Sequence, residues 1–135
     1  MDPVSSEGGS SVDFYNEKVV VIVPAFNEEE TIVPIIKRSK RTAPVLVVDD
    51  GSVDNTAEVA RLAGATVVSL CRNVGVDNAL AFGFKTAAEL GYQVIATIDA
   101  DGQHDPDLLP SIIEPVASNR FDLCHSARLD YARPT

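Results

Sequence analysis

Two carboxylates one residue apart, Asp99 and Asp101, close the apolar run Val94-Ile95-Ala96-Thr97-Ile98. Gly102 allows a turn, and Asp105-Pro106 reads as a helix N-cap followed by proline at the first helical position. The acidic pair therefore stands where a buried strand leaves its sheet. In open α/β sheets that carboxyl edge is where ligands bind. Two hard oxygen donors there suit Mg²⁺ or Mn²⁺, and a metal so held usually rests on substrate phosphates. The competing reading is two solvated turn acids, because Asp is a common turn former. Two more polar loops follow apolar runs in the same way, Pro24-Ala25-Phe26-Asn27-Glu28 and Asp49-Asp50-Gly51-Ser52. An acid placed like Asp50 can accept hydrogen bonds from ribose hydroxyls or a base N–H. Read as a bare turn, the same four residues would only lead into the next helix. Three such loops on one sheet edge carry more weight than any one of them.

The elements that would position these loops alternate along the chain. Lys18–Val23 is a continuous apolar run, as expected of a strand covered on both faces. Asn27 and Glu30 have the spacing of a capping box, but Pro34 is better placed if the helix begins near Thr31, with Ile32, Ile35 and Ile36 as its stripe. Val45–Val48 is a second strand. Asp54 should cap a helix with Val59, Leu62 and Ala63 on one face and Gly64 at its end. A third strand spans Ala65–Leu70. After a loop over 73–78, a helix runs through Leu90 to Gly91, and its Leu80, Phe82, Phe84, Ala87 and Leu90 wrap most of the surface, which predicts deep burial. Gln93–Ile98 is the fourth strand. The next helix carries Ile112, Ile113 and Val116 and could break near Pro110, and Phe121–Cys124 reads as a short fifth strand. This alternation predicts an α/β fold: an open, mainly parallel sheet with helices on both faces and right-handed crossovers. Residues 1–16, rich in Ser, Gly and acids, read as a flexible arm, and 17–135 as one domain.

Composition narrows the partners. The net charge of −9 argues against nucleic acid or an anionic membrane surface as the main partner. It leaves phosphates open, because a bound cation supplies local positive charge. Cys71 and Cys124 lie in or beside apolar runs and read as buried, reduced thiols without metal-ligand spacing. No apolar run is long enough to span a bilayer, and the first residues lack the basic and apolar regions of a signal peptide, so the cytoplasm is the default location.

In order, the chain carries Val-Pro-Ala-Phe-Asn-Glu, Val-Val-Asp-Asp-Gly-Ser-Val-Asp-Asn-Thr, Asn-Val-Gly with Ala-Leu and Gly83, and Asp-Ala-Asp-Gly-Gln-His-Asp-Pro. This ordered set, over roughly residues 18 to 128, resembles the nucleotide-sugar half of the family 2 glycosyltransferases of GT-A fold. The last motif is most similar to the dolichol- or polyprenol-phosphate mannose or glucose synthase branch. The resemblance implies a hexosyltransferase that moves a sugar from a UDP- or GDP-linked donor to an acceptor, a polyprenyl or dolichyl phosphate. It implies that Pro24, Ala25, Phe26 and Glu28 line the nucleotide pocket, with Ala100 beside them, and that Asp50 and Asp49 contact base or ribose. Asp99 and Asp101 would be the metal-binding pair for Mg²⁺ or Mn²⁺, with Gln103 as a further ligand. Asp122–Arg128 resembles the family's strand ending in Gly-Ser-Arg but reads Ser126-Ala127-Arg128, which makes Arg128 the phosphate-facing arginine. Peripheral contact with the cytoplasmic face of a membrane, or a partner subunit, would accompany a lipid acceptor.

Two departures from the family stand out. Asp77 and Asn78 occupy positions where family loops carry small residues, and an acid near a diphosphate repels it unless it points away or joins a metal. Family catalytic domains also continue into an acceptor-binding segment, so the chain is expected to be short at its C-terminal side, and a donor-binding unit without turnover is the alternative function. His104 fits capping or a phosphate contact as well as acid/base work, His125 reads as a strand-end residue, and Lys85 as a solvated head. An Asp-x-Asp-Gly phosphatase with Asp99 as nucleophile would carry its motif on the first strand and a Thr where Gln103 stands. A phospho-receiver built on Asp49-Asp50 would need a late-strand Lys.

Overall fold

β1 (Val19–Ala25) is buried along its whole length, as a β-branched run with a layer on each side should be. The computed structural model describes residues 18–102 and 105–117. In it β1 and β2 (Val45–Asp49) form the interior of a four-stranded sheet, with β3 (Thr66–Ser69) beside β2 and β4 (Val94–Thr97) beside β1. Every pairing is parallel, with Val21 opposite Val45, Val47 opposite Val67 and Val19 opposite Val94. The strand order β3-β2-β1-β4 reverses direction between β1 and β4, and at such a switch point a crevice opens beyond the strand ends.

Side chains alternate across the sheet. Val19, Val21 and Val23 pack with α1 (Ile32–Ser39), α2 (Thr56–Leu62) and α4 (Leu109–Ala117) through Ile32, Ile35, Ile36, Ala60, Leu109 and Ile113. Val20 and Ile22 meet the opposite layer, where α3 (Val76–Glu89) lies across them with Ala79 and Ala87. Among the described residues no helix is long and apolar enough to cross a membrane.

The expected α/β architecture holds, and several local expectations change. α3 is not deeply buried: Phe82 and Phe84 are exposed, as is Leu90 beyond its end. Its contact face is instead Ala79, Gly83 and Ala87, spaced by four residues. A Cβ on Gly83 would stand 3.0 Å from the Cγ2 atoms of both Ile22 and Val48, so the helix lies close enough to the sheet that only small residues fit. The helix begins at Val76, which puts Asp77 and Asn78 in its first turn rather than in a loop. Leu62 points to solvent, 79% exposed, while Thr56 and Ala60 take the buried positions of α2. The N-cap of that helix is Asn55 rather than the expected Asp54, which stands one residue earlier and accepts from the Thr56 amide and hydroxyl. The Asn27–Glu30 box does not form, because Asn27 adopts φ 53° and turns its side chain to Val53. Pro110 lies in the first turn of α4, where proline costs no hydrogen bond, so no break occurs. Before it, Pro106–Leu108 make one 3₁₀ turn, capped by Asp105 through the Asp107 amide at 3.0 Å. Cys71 is exposed, since it follows the edge strand β3 rather than entering a core. The expected arm 1–16, the strand 121–124 and Cys124 lie outside the described residues.

Candidate functional site

Three strand-end loops are cross-linked to one another. After β1 the chain turns at Asn27, whose amide donates to Ser52 Oγ at 2.8 Å and whose Oδ1 accepts from the Val53 amide at 2.9 Å. The Glu28 amide donates to Thr56 Oγ1 at 2.9 Å, and the Asn55 amide to Glu29 Oε1 at 2.7 Å. The Thr31 hydroxyl donates to the Ala100 carbonyl at 2.7 Å and so joins the loop after β1 to the loop after β4. Arg38 on α1 holds the segment beyond it, with Nη2 at 2.6 Å from Asp105 and 3.0 Å from Asp107. The hydrogen bond that Arg38 donates to Asp107 and the charges of both acids raise the guanidinium above its ordinary value, against the effect of desolvation. Asp54, in the middle loop, is pushed up by desolvation. The Thr56 hydroxyl, the Thr56 and Glu29 amides and its own amide more than reverse this, and its carboxyl lies below the usual range.

Asp50 ties in a fourth segment. Its amide donates to the Ala25 carbonyl at 2.8 Å. Its buried carboxylate accepts from the Val74 amide at 2.8 Å on Oδ1, and from Asn73 Nδ2 and the Gly75 amide, each at 3.1 Å, on Oδ2. Gly51, at φ 76°, lets the Arg72–Asn73 backbone pass so close that a Cβ would lie 2.4 Å from the Arg72 carbonyl carbon. Asp49 turns the other way, accepting from the Ser52 amide and Ser69 Oγ, both at 3.1 Å.

These loops enclose a cavity of about 380 Å³ at the β1/β4 switch point. Pro24, Ala25, Phe26 and Glu28 form one side, Asp50 the floor of the sheet edge, Asn73, Gly75 and Val76 another side, and Asp99, Ala100 and Asp101 the third. Ala100 is buried, Asp99 half-buried and Asp101 exposed. The structure thus brings together eight of the predicted site residues: Pro24, Ala25, Phe26 and Glu28 of the first loop, Asp50, and Asp99, Ala100 and Asp101. Asp49 is not part of the lining. Gln103 and Arg128, with His104 and His125, lie outside the described residues. Lys85 is solvated and paired with Glu89 at 3.0 Å.

Asn73 and Gly75 entered the sequence reading only as part of the Asn-Val-Gly motif, with no role assigned, and Val76 was not singled out. The available signal was an Asn-x-Gly sequence just after a strand, with a glycine free to take positive φ, here 96°. Among the described residues no three His, Cys, Asp or Glu side chains gather as a metal cage. Two carboxylates on one cavity wall fit a different kind of site, in which Mg²⁺ or Mn²⁺ takes one or two protein carboxylates and completes its shell from phosphates and water.

The family model for Glycosyl transferase family 2 matches residues 20–134. An uncharacterized protein of Methanocaldococcus jannaschii is 34% identical over 131 residues, 96% of this chain and 54% of the relative. The undecaprenyl-phosphate mannosyltransferase of Micrococcus luteus is 36% identical over 107 residues, 73% of this chain and 44% of the relative. In three dimensions the chain is similar to the glucosyl-3-phosphoglycerate synthase of Mycobacterium tuberculosis, with TM-score 0.63 and 27% identity over 75% of this chain and 41% of that one. The same synthase in complex with Mn²⁺ and UDP-glucose gives TM-score 0.64 and 25% identity over 87% and 45%. The chain spans about half the length of these relatives.

Proposed function

The chain belongs to glycosyl transferase family 2, and from that membership we propose that its cavity binds a nucleoside-diphosphate sugar, UDP- or GDP-linked, for transfer of the sugar to a polyprenyl or dolichyl phosphate. The observation that carries this reading is the meeting of the loops after β1, β2 and β4 around one cavity with Asp50, Asp99 and Asp101 in its wall. The nucleoside would lie between Phe26 and Asp50, with Pro24, Ala25 and Glu28 beside it, and the diphosphate toward Asp99 and Asp101. Those two carboxylates, with Gln103, would hold Mg²⁺ or Mn²⁺. Bound there, the cation would act as a Lewis acid toward the charge that develops on the departing diphosphate. The complexes of the mycobacterial synthase with Mn²⁺ and UDP-glucose support this choice, and the Micrococcus relative, named as an undecaprenyl-phosphate mannosyltransferase, supports the acceptor.

In the proposed transfer an acceptor phosphate oxygen forms a bond to the anomeric carbon while the bond from that carbon to the diphosphate oxygen breaks, and its electron pair leaves with the diphosphate. A phosphate monoester is already largely ionised at neutral pH, its second pKa being about 6 by analogy with phosphorylated side chains. A dedicated general base is therefore less necessary than for a hydroxyl acceptor. Arg128 would face the acceptor phosphate. A lipid acceptor would bring the protein to the cytoplasmic face of a membrane as a peripheral contact. A second reading is a donor-binding unit that transfers sugar only with further chain or a partner. It is supported by the cavity lining, in which every described residue belongs to the loops proposed to hold the donor.

Calorimetric titration of the purified chain with UDP- and GDP-sugars, with and without Mn²⁺, tests the binding reading. Metal-dependent binding is expected, and its absence for both would refute the proposal. Supplying polyprenyl phosphate then separates the two functions: multiple-turnover synthesis of a polyprenyl-phosphate sugar identifies the complete enzyme, and binding without turnover the donor unit.

A further inference from the structure

Thr31 occupies the N-cap of α1, yet its side chain makes no capping hydrogen bond to that helix. A threonine there normally turns its oxygen back to the amides of the first turn. Here the hydroxyl reaches across the site instead. It carries one proton, and the Ala100 carbonyl, at 2.7 Å, is the nearest acceptor, ahead of Glu28 Oε1 at 3.0 Å and the Glu28 carbonyl at 3.5 Å. The carbonyl so held belongs to the peptide between Ala100 and Asp101, and Ala100 is itself buried in the core. A peptide group is planar, so fixing its oxygen fixes the direction in which Asp101 leaves, two residues on from Asp99. The other end of the bond is anchored too. Ile32, the next residue, is fully buried, and the Thr31 and Ile32 amides both donate to the Glu28 carbonyl, at 3.1 and 3.0 Å. Further along the same helix Arg38 holds Asp105 and Asp107. α1 therefore braces the acidic stretch both between its two carboxylates and beyond them.

We propose that Thr31 is a positioning residue for the divalent cation, resting on the reading that Asp99 and Asp101 hold that cation. Through the Ala100 carbonyl its hydroxyl sets how the two carboxylates stand relative to each other, and so how well they suit a small ion. Mg²⁺ demands near-ideal octahedral geometry, whereas Ca²⁺ accepts a flexible shell. Binding of Mg²⁺ therefore suffers more than binding of Ca²⁺ when the carboxylates lose their fixed relation. Removing the hydroxyl does not uncap α1, because it caps nothing there. Thr31 is exposed, so water can take the place of its hydroxyl at the carbonyl. Such a water satisfies the oxygen but is not tied to α1. The loop keeps a hydrogen bond and loses its fixed position.

The test uses Thr31→Val, which keeps the shape and removes the hydroxyl, and Thr31→Ser, which keeps the hydroxyl. Thr31→Ala, measured alongside, removes the hydroxyl without a branched side chain, and thermal melts check that each variant is folded. UDP and GDP are titrated by calorimetry into the wild type with Mg²⁺, with Ca²⁺ and with EDTA, and the tighter nucleotide is carried to the variants. In Thr31→Val and Thr31→Ala the gain in affinity given by Mg²⁺ should fall about three- to tenfold. The gain given by Ca²⁺ should fall less, and the affinity in EDTA should stay within about twofold of the wild type. Thr31→Ser should restore the Mg²⁺ gain. A merely structural defect would lower all three affinities together. An undiminished Mg²⁺ gain in folded Thr31→Val or Thr31→Ala overturns the inference. So does a Thr31→Ser protein as weak as Thr31→Val, or a loss of equal size with Ca²⁺ or in EDTA. A wild type that binds neither nucleotide, or binds equally well with Mg²⁺ and in EDTA, is a different result: it refutes the assignment of Asp99 and Asp101 to the cation, and the role of Thr31 falls with it.

Discussion

Replacing Gly51 by alanine should damage stability and nucleotide binding together. Gly51 sits at φ 76°, where an L side chain costs about 1–2 kcal/mol. Its new Cβ would also lie 2.4 Å from the Arg72 carbonyl carbon and 2.6 Å from the Asn73 nitrogen, both backbone atoms, and neither can rotate away. The segment must therefore retreat, and it carries the Val74 and Gly75 amides that reach Asp50 at 2.8 and 3.1 Å. Hydrogen bonds to a charged group contribute about 1.5–3 kcal/mol, so weakening one of them brings the expected loss to about 3 kcal/mol or more. That is a large share of the roughly 5–15 kcal/mol that stabilises a domain. Gly91→Ala is the matched control, because Gly91 has φ 94° and nothing within 4 Å of a built Cβ. It should lose only the conformational part. Urea unfolding of both variants measures the difference, and calorimetry with UDP and Mn²⁺ should show affinity reduced about tenfold in Gly51→Ala alone. The reasoning is refuted if Gly51→Ala unfolds at the same urea concentration as Gly91→Ala and binds nucleotide like the wild type.

Gly83→Leu should cost about 1–3 kcal/mol, read as a lower urea midpoint, because even a Cβ there already meets Ile22 and Val48 at 3.0 Å. Asp101→Asn should abolish the Mn²⁺-dependent part of nucleotide binding in a protein that still folds, since an amide keeps the shape but not the charge a hard cation needs; calorimetry with and without Mn²⁺ measures the loss and a urea melt checks the fold. Asp54→Asn should be less stable than the wild type at neutral pH, and thermal melts should show the gap closing in acid. Asp54 is held below its ordinary value, so its contribution is present above the unfolded-state value of about 4 and disappears as pH falls through the lowered one.

The parts of the site carried by short-range chemistry were legible in the sequence. An apolar run that stops in Asp-x-Asp, or in Asp-Asp-Gly-Ser, announces a strand end with acids on it, and the parallel alternation places those ends on one edge. What could not be read were distances set by packing. The large side chains of α3 suggested deep burial, yet Gly83 sets the approach to the sheet and leaves Phe82 and Phe84 at the surface. Periodicity counts apolar residues and does not see which face is narrow. The sequence pointed to Asp50, with Asp49 beside it, as acids that contact the nucleotide, but the pleat sends Asp49 to Ser69 on β3 and Asp50 to the cavity segment 73–75. Only the strand register separates them.

The bond from Thr31 to the Ala100 carbonyl joins residues 69 apart in sequence, and those from Asn27 to Ser52 and from Gly75 to Asp50 each join residues 25 apart. Contacts of such long reach form only after the intervening chain has been ordered, and they slow folding relative to local ones. During synthesis the loop after β1 can therefore gain its bonds to residues 52–56 first, and its bond to Ala100 only after that residue has emerged and β4 has docked beside β1. Because the pocket loops are bonded to one another across the sheet edge, a ligand that binds only the closed pocket should stabilise the fold by an amount that grows with its concentration relative to its Kd.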